Sequence, residues 1–299
     1  MTKLLWAELW VELAFSLSCA GWWIHAGGPN YLLWALPLAV FVGLRAVLVL
    51  ASIVFAVWRQ RRPSLPALAW VKLAANESWA LLRFCGLMLS EFGDPRTVYG
   101  KEVSAHTHHP TLVVLMHGVY CNRGVWRPVR RRLVKHAQVR VAVPTLTPVT
   151  AGLAQQAQGF AQWLDALVKD QPQRVVLIGH SMGGLIARLC ITQGLLRTSV
   201  HKLICLGSPH AGSELAKLLS GEVGRDLSRQ SEVLADLEAA ASASTAVVNL
   251  YSRHDNLVAP YESAYLPHAT NLVLDGIGHM SLVYSRQVYA ALLHELHKD

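Results

Sequence analysis

Ser181 stands in Gly179-His180-Ser181-Met182-Gly183, a G-x-S-x-G spacing that can hold a nucleophilic hydroxyl at a sharp turn. The run before it, Arg174 to Ile178, is apolar and β-branched, as in a buried parallel strand. Leu185, Ile186, Leu189 and Cys190 after it recur at helical spacing. The serine therefore falls on a strand-to-helix turn. Such a turn strains the backbone of its central residue, and glycines two positions either side remove Cβ atoms that would collide. Gly184 lets the helix begin close to the sheet.

A serine hydroxyl attacks a carbonyl only when a base takes its proton, and the base needs an acid to fix its tautomer. Of fourteen histidines, His279 lies in "LDGIGHMSL", just past the strand-like run Asn271 to Leu274 and among small residues, which makes it the candidate base. Asp255, in the polar turn "SRHDNLVAP" after the strand-like "TAVVNLYS", is the favoured acid. Asp275, only four residues before His279, competes with it. A developing oxyanion requires fixed N–H donors. The amide of Met182 at the helix N-terminus supplies one. The loop after "TLVVLM" supplies the other at Val119, where Gly118 permits the turn; His117 reads as a structural hydrogen-bonding residue.

These residues need a scaffold that brings strand ends together. Strand patterns fall near Thr111–Met116, Val139–Thr145, Arg174–Ile178, Lys202–Leu206, Ala246–Tyr251 and Asn271–Leu274. Helical patterns fall at Val125–His136, Leu153–Lys169, Gly183–Leu195 and Gln287–His297. This alternation predicts an α/β fold with a doubly wound, mostly parallel sheet, whose sites form at the carboxyl ends of the strands. Every candidate residue sits at such an end.

Five segments in order, "MHGVYCNRGVW", "GHSMGG", "LGSPHAGSELA", "RHDNLVAP" and "GIGHMSL", resemble the α/β-hydrolases and, within them, the bacterial lipases and esterases. The resemblance covers about Thr111 to Leu282 and shares the chain order Ser, Asp, His. It implies an ester hydrolase working through an acyl-enzyme on Ser181, with Asp255 and His279 completing the triad and no metal or organic cofactor. "RDLSRQSEVLADL" resembles the helical segment such lipases carry before the acid strand, so a small helical cap is expected at about 213–244. An acyltransferase or thioesterase would use the same triad, and a non-catalytic membrane scaffold could retain the fold.

The 299 residues are 53% apolar and only 15% charged, one catalytic domain of ordinary size plus something greasier. The excess lies in front. Tyr31 to Trp58 is long enough to cross about 30 Å of hydrocarbon. Its sixteen Leu, Ile, Val and Phe residues contribute roughly −5 to −10 kcal/mol against about +3 for the central Arg45, so insertion wins. Leu4 to Ile24 carries eight such residues with Glu8 and Glu12, and spans only with help. A hairpin around His25 to Asn30 would let Glu12 pair with Arg45. Early carboxylates and the length of the apolar stretch argue against a signal peptide.

The reading divides the chain into an anchor of one or two transmembrane helices (1–62), an amphipathic linker (63–98) and the catalytic domain (99–299). Leu68 to Phe92 suits either an interfacial helix or one packed on that domain. Arg59, Arg61 and Arg62 place their end of the anchor, and the catalytic domain with it, on the cytoplasmic side of a bacterial inner membrane. Five cysteines without C-x-x-C fit a reducing compartment. The net charge of +8 is scattered or beside the membrane segment and carries no nucleic-acid motif; attraction to anionic headgroups accounts for it better. The expected partners are a lipid or hydrophobic ester and the bilayer. His106, His108 and His109 read as a solvated loop.

Overall fold

The computed structural model describes residues 10–15, 17–18, 25, 35–59, 64–91, 94, 96–100, 111–137, 139–169, 174–240 and 245–298. Among them seven strands form one sheet: β1 (Val98–Tyr99), β2 (Thr111–Met116), β3 (Arg140–Ala142), β4 (Arg174–His180), β5 (Val200–Leu206), β6 (Ala246–Ser252) and β7 (Thr270–Leu274). The order is β1-β3-β2-β4-β5-β6-β7, with β4 central and β2 to β7 all parallel. Two details depart from the sequence reading. β3 stops at Ala142, two residues before Pro144, which has no N–H to give a ladder. β1 pairs antiparallel with β3 through Val98–Ala142 and Tyr99–Val141; two residues are too few to leave a period in the sequence.

The helices are α1 (Leu36–Arg59), α2 (Ala67–Leu89), α3 (Arg127–His136), α4 (Leu153–Val168), α5 (Met182–Thr192), α6 (Glu222–Asp226), α7 (Glu232–Ala239) and α8 (Arg286–His297). Strand side chains alternate between faces. Leu112, Val114 and Met116 pack toward Phe160, Leu164, Leu185 and Ile186 of α4 and α5. Val113 and Leu115 pack with Val129 and Leu133 of α3 and Val288 and Leu292 of α8. Both faces are covered, which is why the central strands are apolar throughout.

α2 is more than a linker. Its Phe84 and Met88 are buried in the same core as α3 and α8, while Leu68, Val71 and Trp79 remain exposed on its other side. Of the two alternatives for this helix, the structure shows the packing on the catalytic-side core.

α1 docks on α2 through Val49 and Ile53 against Leu73. Arg45, Val49, Ile53 and Ala56 make one buried seam along it. Pro37–Trp58 is long and apolar enough to cross a membrane, and Leu38, Val47, Leu50 and Val54 point outward. Arg45 pairs with Glu12 and stacks over Phe41, 4.0 Å from the ring centre. That pair is the one expected of a hairpin. Most of Leu4–Ile24 lies outside the described residues, as do Cys19 and His106, His108 and His109; residues 10–15 are helical. The four described cysteines, Cys85, Cys121, Cys190 and Cys205, are buried and unbridged.

The insertion after β5 is small, as expected: a 3-10 turn at Glu214–Leu218, then α6 and α7. Its acids close the start of α4, where Leu153 N–H donates to Asp226 Oδ2 at 2.7 Å and Gly152 N–H to Glu222 Oε2 at 3.2 Å. Both bonds satisfy orphan amides at a helix N-terminus.

Candidate active site

Ser181 is the single residue between β4 and α5. Its φ of 56° and ψ of −123° lie where L-residues rarely rest, a strain of about 1–3 kcal/mol that surrounding structure must hold. Its N–H donates to Leu206 O on β5 at 2.9 Å. Tight packing holds the turn: a Cβ on Gly183 would meet His117 O at 2.8 Å, and one on Gly118 would lie 3.1 Å from Ser181 Cβ. Glycine at 118 lets the loop after β2 come against the serine. Ser181 is 7% exposed.

The other candidates arrive from the ends of β6 and β7. His279 Nδ1–H donates to Asp255 Oδ2 at 2.7 Å. Asp255 Oδ1 accepts from the amides of Leu257 at 2.9 Å and Val258 at 2.8 Å. Burial acts to raise the Asp255 pKa, but the charge and hydrogen bond of His279 and those two amides outweigh it and hold the carboxyl below its ordinary range. Burial likewise opposes charge on His279; Asp255, through its charge and its hydrogen bond, prevails and raises the imidazole above its usual value.

The rival acid sits elsewhere. Asp275 forms a two-pronged ion pair with Arg253 and is 44% exposed. It also approaches His254 Nδ1 at 3.3 Å.

Val119 and Met182 flank the serine. Among the described residues neither amide has a protein acceptor, and Met182 is the first residue of α5, where helix amides point outward with partial positive charge. His117 is structural, as expected: its Nε2 accepts from Leu146 N–H at 2.9 Å, and burial lowers its pKa to about 4.

Several neighbours were not read from the sequence. His180 Nε2–H donates to His279 O at 3.1 Å, its ring 4.7 Å from that of His279; burial, then the nearby His279, keep it neutral with a pKa of about 3. Asn256 Oδ1 accepts from His279 N–H at 2.9 Å. Glu77 of α2 accepts from the amides of Met280 at 2.7 Å and Ser281 at 2.9 Å. The polarity of Asn256 beside Asp255 was visible, whereas the long-range partners of Glu77 were not.

A cleft of about 780 Å3 opens over Ser181, His279 and Val119. One wall is Leu215, Leu218 and Leu227 around the cap, and the other is Leu48, Ala51, Phe55 and Trp58 of α1. The helix expected to tether the domain also lines the cleft. Among the described residues no group of three or more His, Cys, Asp or Glu could hold a metal ion.

The seven-stranded sheet and its flanking helices have counterparts in known structures. The mature lipase BlEst2 of Bacillus licheniformis superposes with a TM-score of 0.58 at 18% identity, covering 68% of this chain and 99% of that one. The chain has the α/β-hydrolase fold. Other proteins similar in this fold are Legionella pneumophila phospholipase PlaB (TM-score 0.53, 15% identity, 64% of this chain and 60% of that one) and Aspergillus fumigatus lipase B (0.51, 14%, 68% and 56%). In sequence, a family described as a PGAP1-like alpha/beta domain matches residues 160–263, from within α4 past Ser181 and Asp255 to the 3-10 turn Tyr261–Ala264. No curated protein matches.

Proposed function

We propose that this chain is a membrane-anchored serine hydrolase that cleaves carboxylic esters of lipids. The observation that carries the reading is the meeting, at the floor of one apolar cleft, of Ser181 in its strained conformation and His279 bonded to buried Asp255. Ser181 Oγ attacks the ester carbonyl while His279 Nε2 takes its proton; the Val119 and Met182 amides hold the oxyanion; the tetrahedral intermediate expels the alcohol, protonated by His279, and leaves an acyl-enzyme. Water, deprotonated by His279, then releases the acid. The reaction as written uses protein groups and water alone.

The lipid part of the reading is supported by the cleft walls and by the outward apolar side chains of α1, Leu38, Val47, Leu50 and Val54, since exposed clusters of this kind mark membrane or partner contacts. Similar folds named lipase and phospholipase are consistent with it. Arg59, Arg61 and Arg62 favour a cytoplasmic catalytic domain. In this reading residues 1–62 are the anchor, Val119 and Met182 the oxyanion donors, and 99–299 the catalytic domain.

The test is product analysis on detergent-solubilised protein with a panel of ester, thioester and phospholipid substrates, with and without an added alcohol acceptor. Free acid from the esters, undiminished by the acceptor, supports the hydrolase. Acyl transfer to the acceptor would make the enzyme a transferase, preferred thioester turnover a thioesterase, and no turnover would leave a scaffold.

A further inference from the structure

α2 lies ahead of every motif that carries the hydrolase resemblance, yet it places a carboxylate beside the candidate base. Glu77 is 1% exposed. Its two oxygens are spread over two successive amides, Oε1 on Met280 N–H and Oε2 on Ser281 N–H. These follow His279 directly and open the 3-10 turn Ser281–Tyr284. Gly278, on the other side of His279, leaves room for the carboxylate: a Cβ there would come within 2.6 Å of Glu77 Cδ. With His279 N–H held by Asn256, the loop backbone is gripped at three consecutive residues.

Burying a carboxylate without a cationic partner is costly, and a neutral side chain could fill the same space. Among the described residues no Lys or Arg pairs with Glu77; burial pushes its carboxyl above the ordinary range, opposed by the hydrogen bonds of Met280 and Ser281 and then by the nearby His279. That imidazole becomes a cation each time it takes a proton from Ser181 or from water. The same helix reaches the oxyanion loop, where Asn122 Nδ2 donates to Met88 O at 3.0 Å. One helix thus touches the loops of both base and oxyanion donor.

We propose that Glu77 is a positioning residue for His279: it fixes the imidazole loop through the Met280 and Ser281 amides and sets a second negative charge, after that of Asp255, beside the imidazolium that forms in the reaction. The proposal rests on reading Ser181 as nucleophile and His279 as base. It gives α2, which follows the anchor, a part in positioning the base.

The titratable groups about His279 are Asp255, Glu77 and His180, so removal of one charge can be read in a pH profile. The measurement is the rate at which a fluorophosphonate labels Ser181 in the full-length protein in detergent, followed against pH beside kcat and KM for a short soluble ester. Glu77→Gln keeps the length of the side chain but removes its charge and turns one acceptor into a donor facing an N–H. Labelling and kcat are expected to fall about tenfold or more, as small misplacements of catalytic groups do, with KM little changed. The acid limb moves to lower pH.

Glu77→Asp keeps the charge on a shorter arm: the acid limb stays at its wild-type position while labelling is slower than wild type. It carries the test alone if the glutamine variant does not fold. A folded Glu77→Gln with wild-type labelling rate and acid limb, or a Glu77→Asp that labels at the full rate or shifts the limb, overturns the proposal while the hydrolase stands. Failure of the wild-type protein to label at Ser181 overturns both.

Discussion

Asn256, the neighbour of Asp255, donates a 2.7 Å hydrogen bond to Ser52 Oγ on α1, and its own Oδ1 holds the His279 amide. The apolar helix and the acid-base loops are therefore joined by one side chain. Losing a hydrogen bond of this kind costs about 1 kcal/mol, and more when a buried partner is left unpaired. Asn256→Ala should lower kcat on a short ester by about 10- to 100-fold, and Ser52→Ala by less than about tenfold. The kinetics of both variants in detergent check this; a Ser52 effect exceeding that of Asn256 would contradict the order of the relay.

The acid assignment gives a sharper contrast. Asp255 is fully buried on His279, whereas Asp275 is a half-exposed partner of Arg253. Asp255→Asn should reduce kcat by about four orders of magnitude with KM little changed, because the asparagine stabilises the wrong imidazole tautomer. Asp275→Asn breaks a surface pair worth about 1 kcal/mol or less, and should leave kcat within about threefold. Steady-state kinetics decide, and the reverse ranking would move the acid to Asp275.

Ala51 of α1 lines the cleft opposite Leu215 and Leu218. A tryptophan there fills space an acyl chain would occupy. Denying burial to two or three methylenes at about 0.8 kcal/mol each should lower the ratio of kcat/KM for a long-chain over an acetyl ester by about 10- to 100-fold. The ratio is read on micellar substrates. An unchanged ratio for Ala51→Trp would place the acyl chain elsewhere.

The pH profile follows from His279. The base must be neutral to accept the Ser181 proton, and Asp255 favours its charged form. Activity should therefore be lost as pH falls, with the midpoint of the acid limb above that of an ordinary imidazole. Asp255→Asn removes the charge that raises it, so the limb should move to lower pH. Residual activity of that variant, or chemical shifts of the His279 ring, would show the direction; a move to higher pH would contradict the electrostatic account.

Much of this site could be read along the chain because its motifs are local. Ser181 announces itself by glycines two residues away and by a strand and a helix either side; five of the six expected strands fall within about two residues of those observed, and the shortened β3 is explained by Pro144. Asp255 and His279 stand out in the sequence as polar interruptions at strand ends, and the structure brings their side chains within 2.7 Å. What escaped was non-local. Glu77 is 202 residues before His279 in number, and nothing in "VKLAANESWALL" distinguishes a carboxylate facing water from one facing two amides. The role of α1 in the cleft escaped for the same reason: composition reports that Leu48 and Phe55 are apolar, but not that one face of a helix long enough to span a bilayer is turned toward Ser181.

The most direct test of the account is covalent labelling at Ser181. The full-length protein in detergent is treated with a fluorophosphonate, digested with trypsin and weighed peptide by peptide, beside Ser181→Ala. The account predicts one modified peptide, Val175–Arg188, in the wild-type digest, and neither label nor ester hydrolysis in the variant, which should unfold with the same cooperativity. Label retained in Ser181→Ala, or carried by a different peptide, would contradict it.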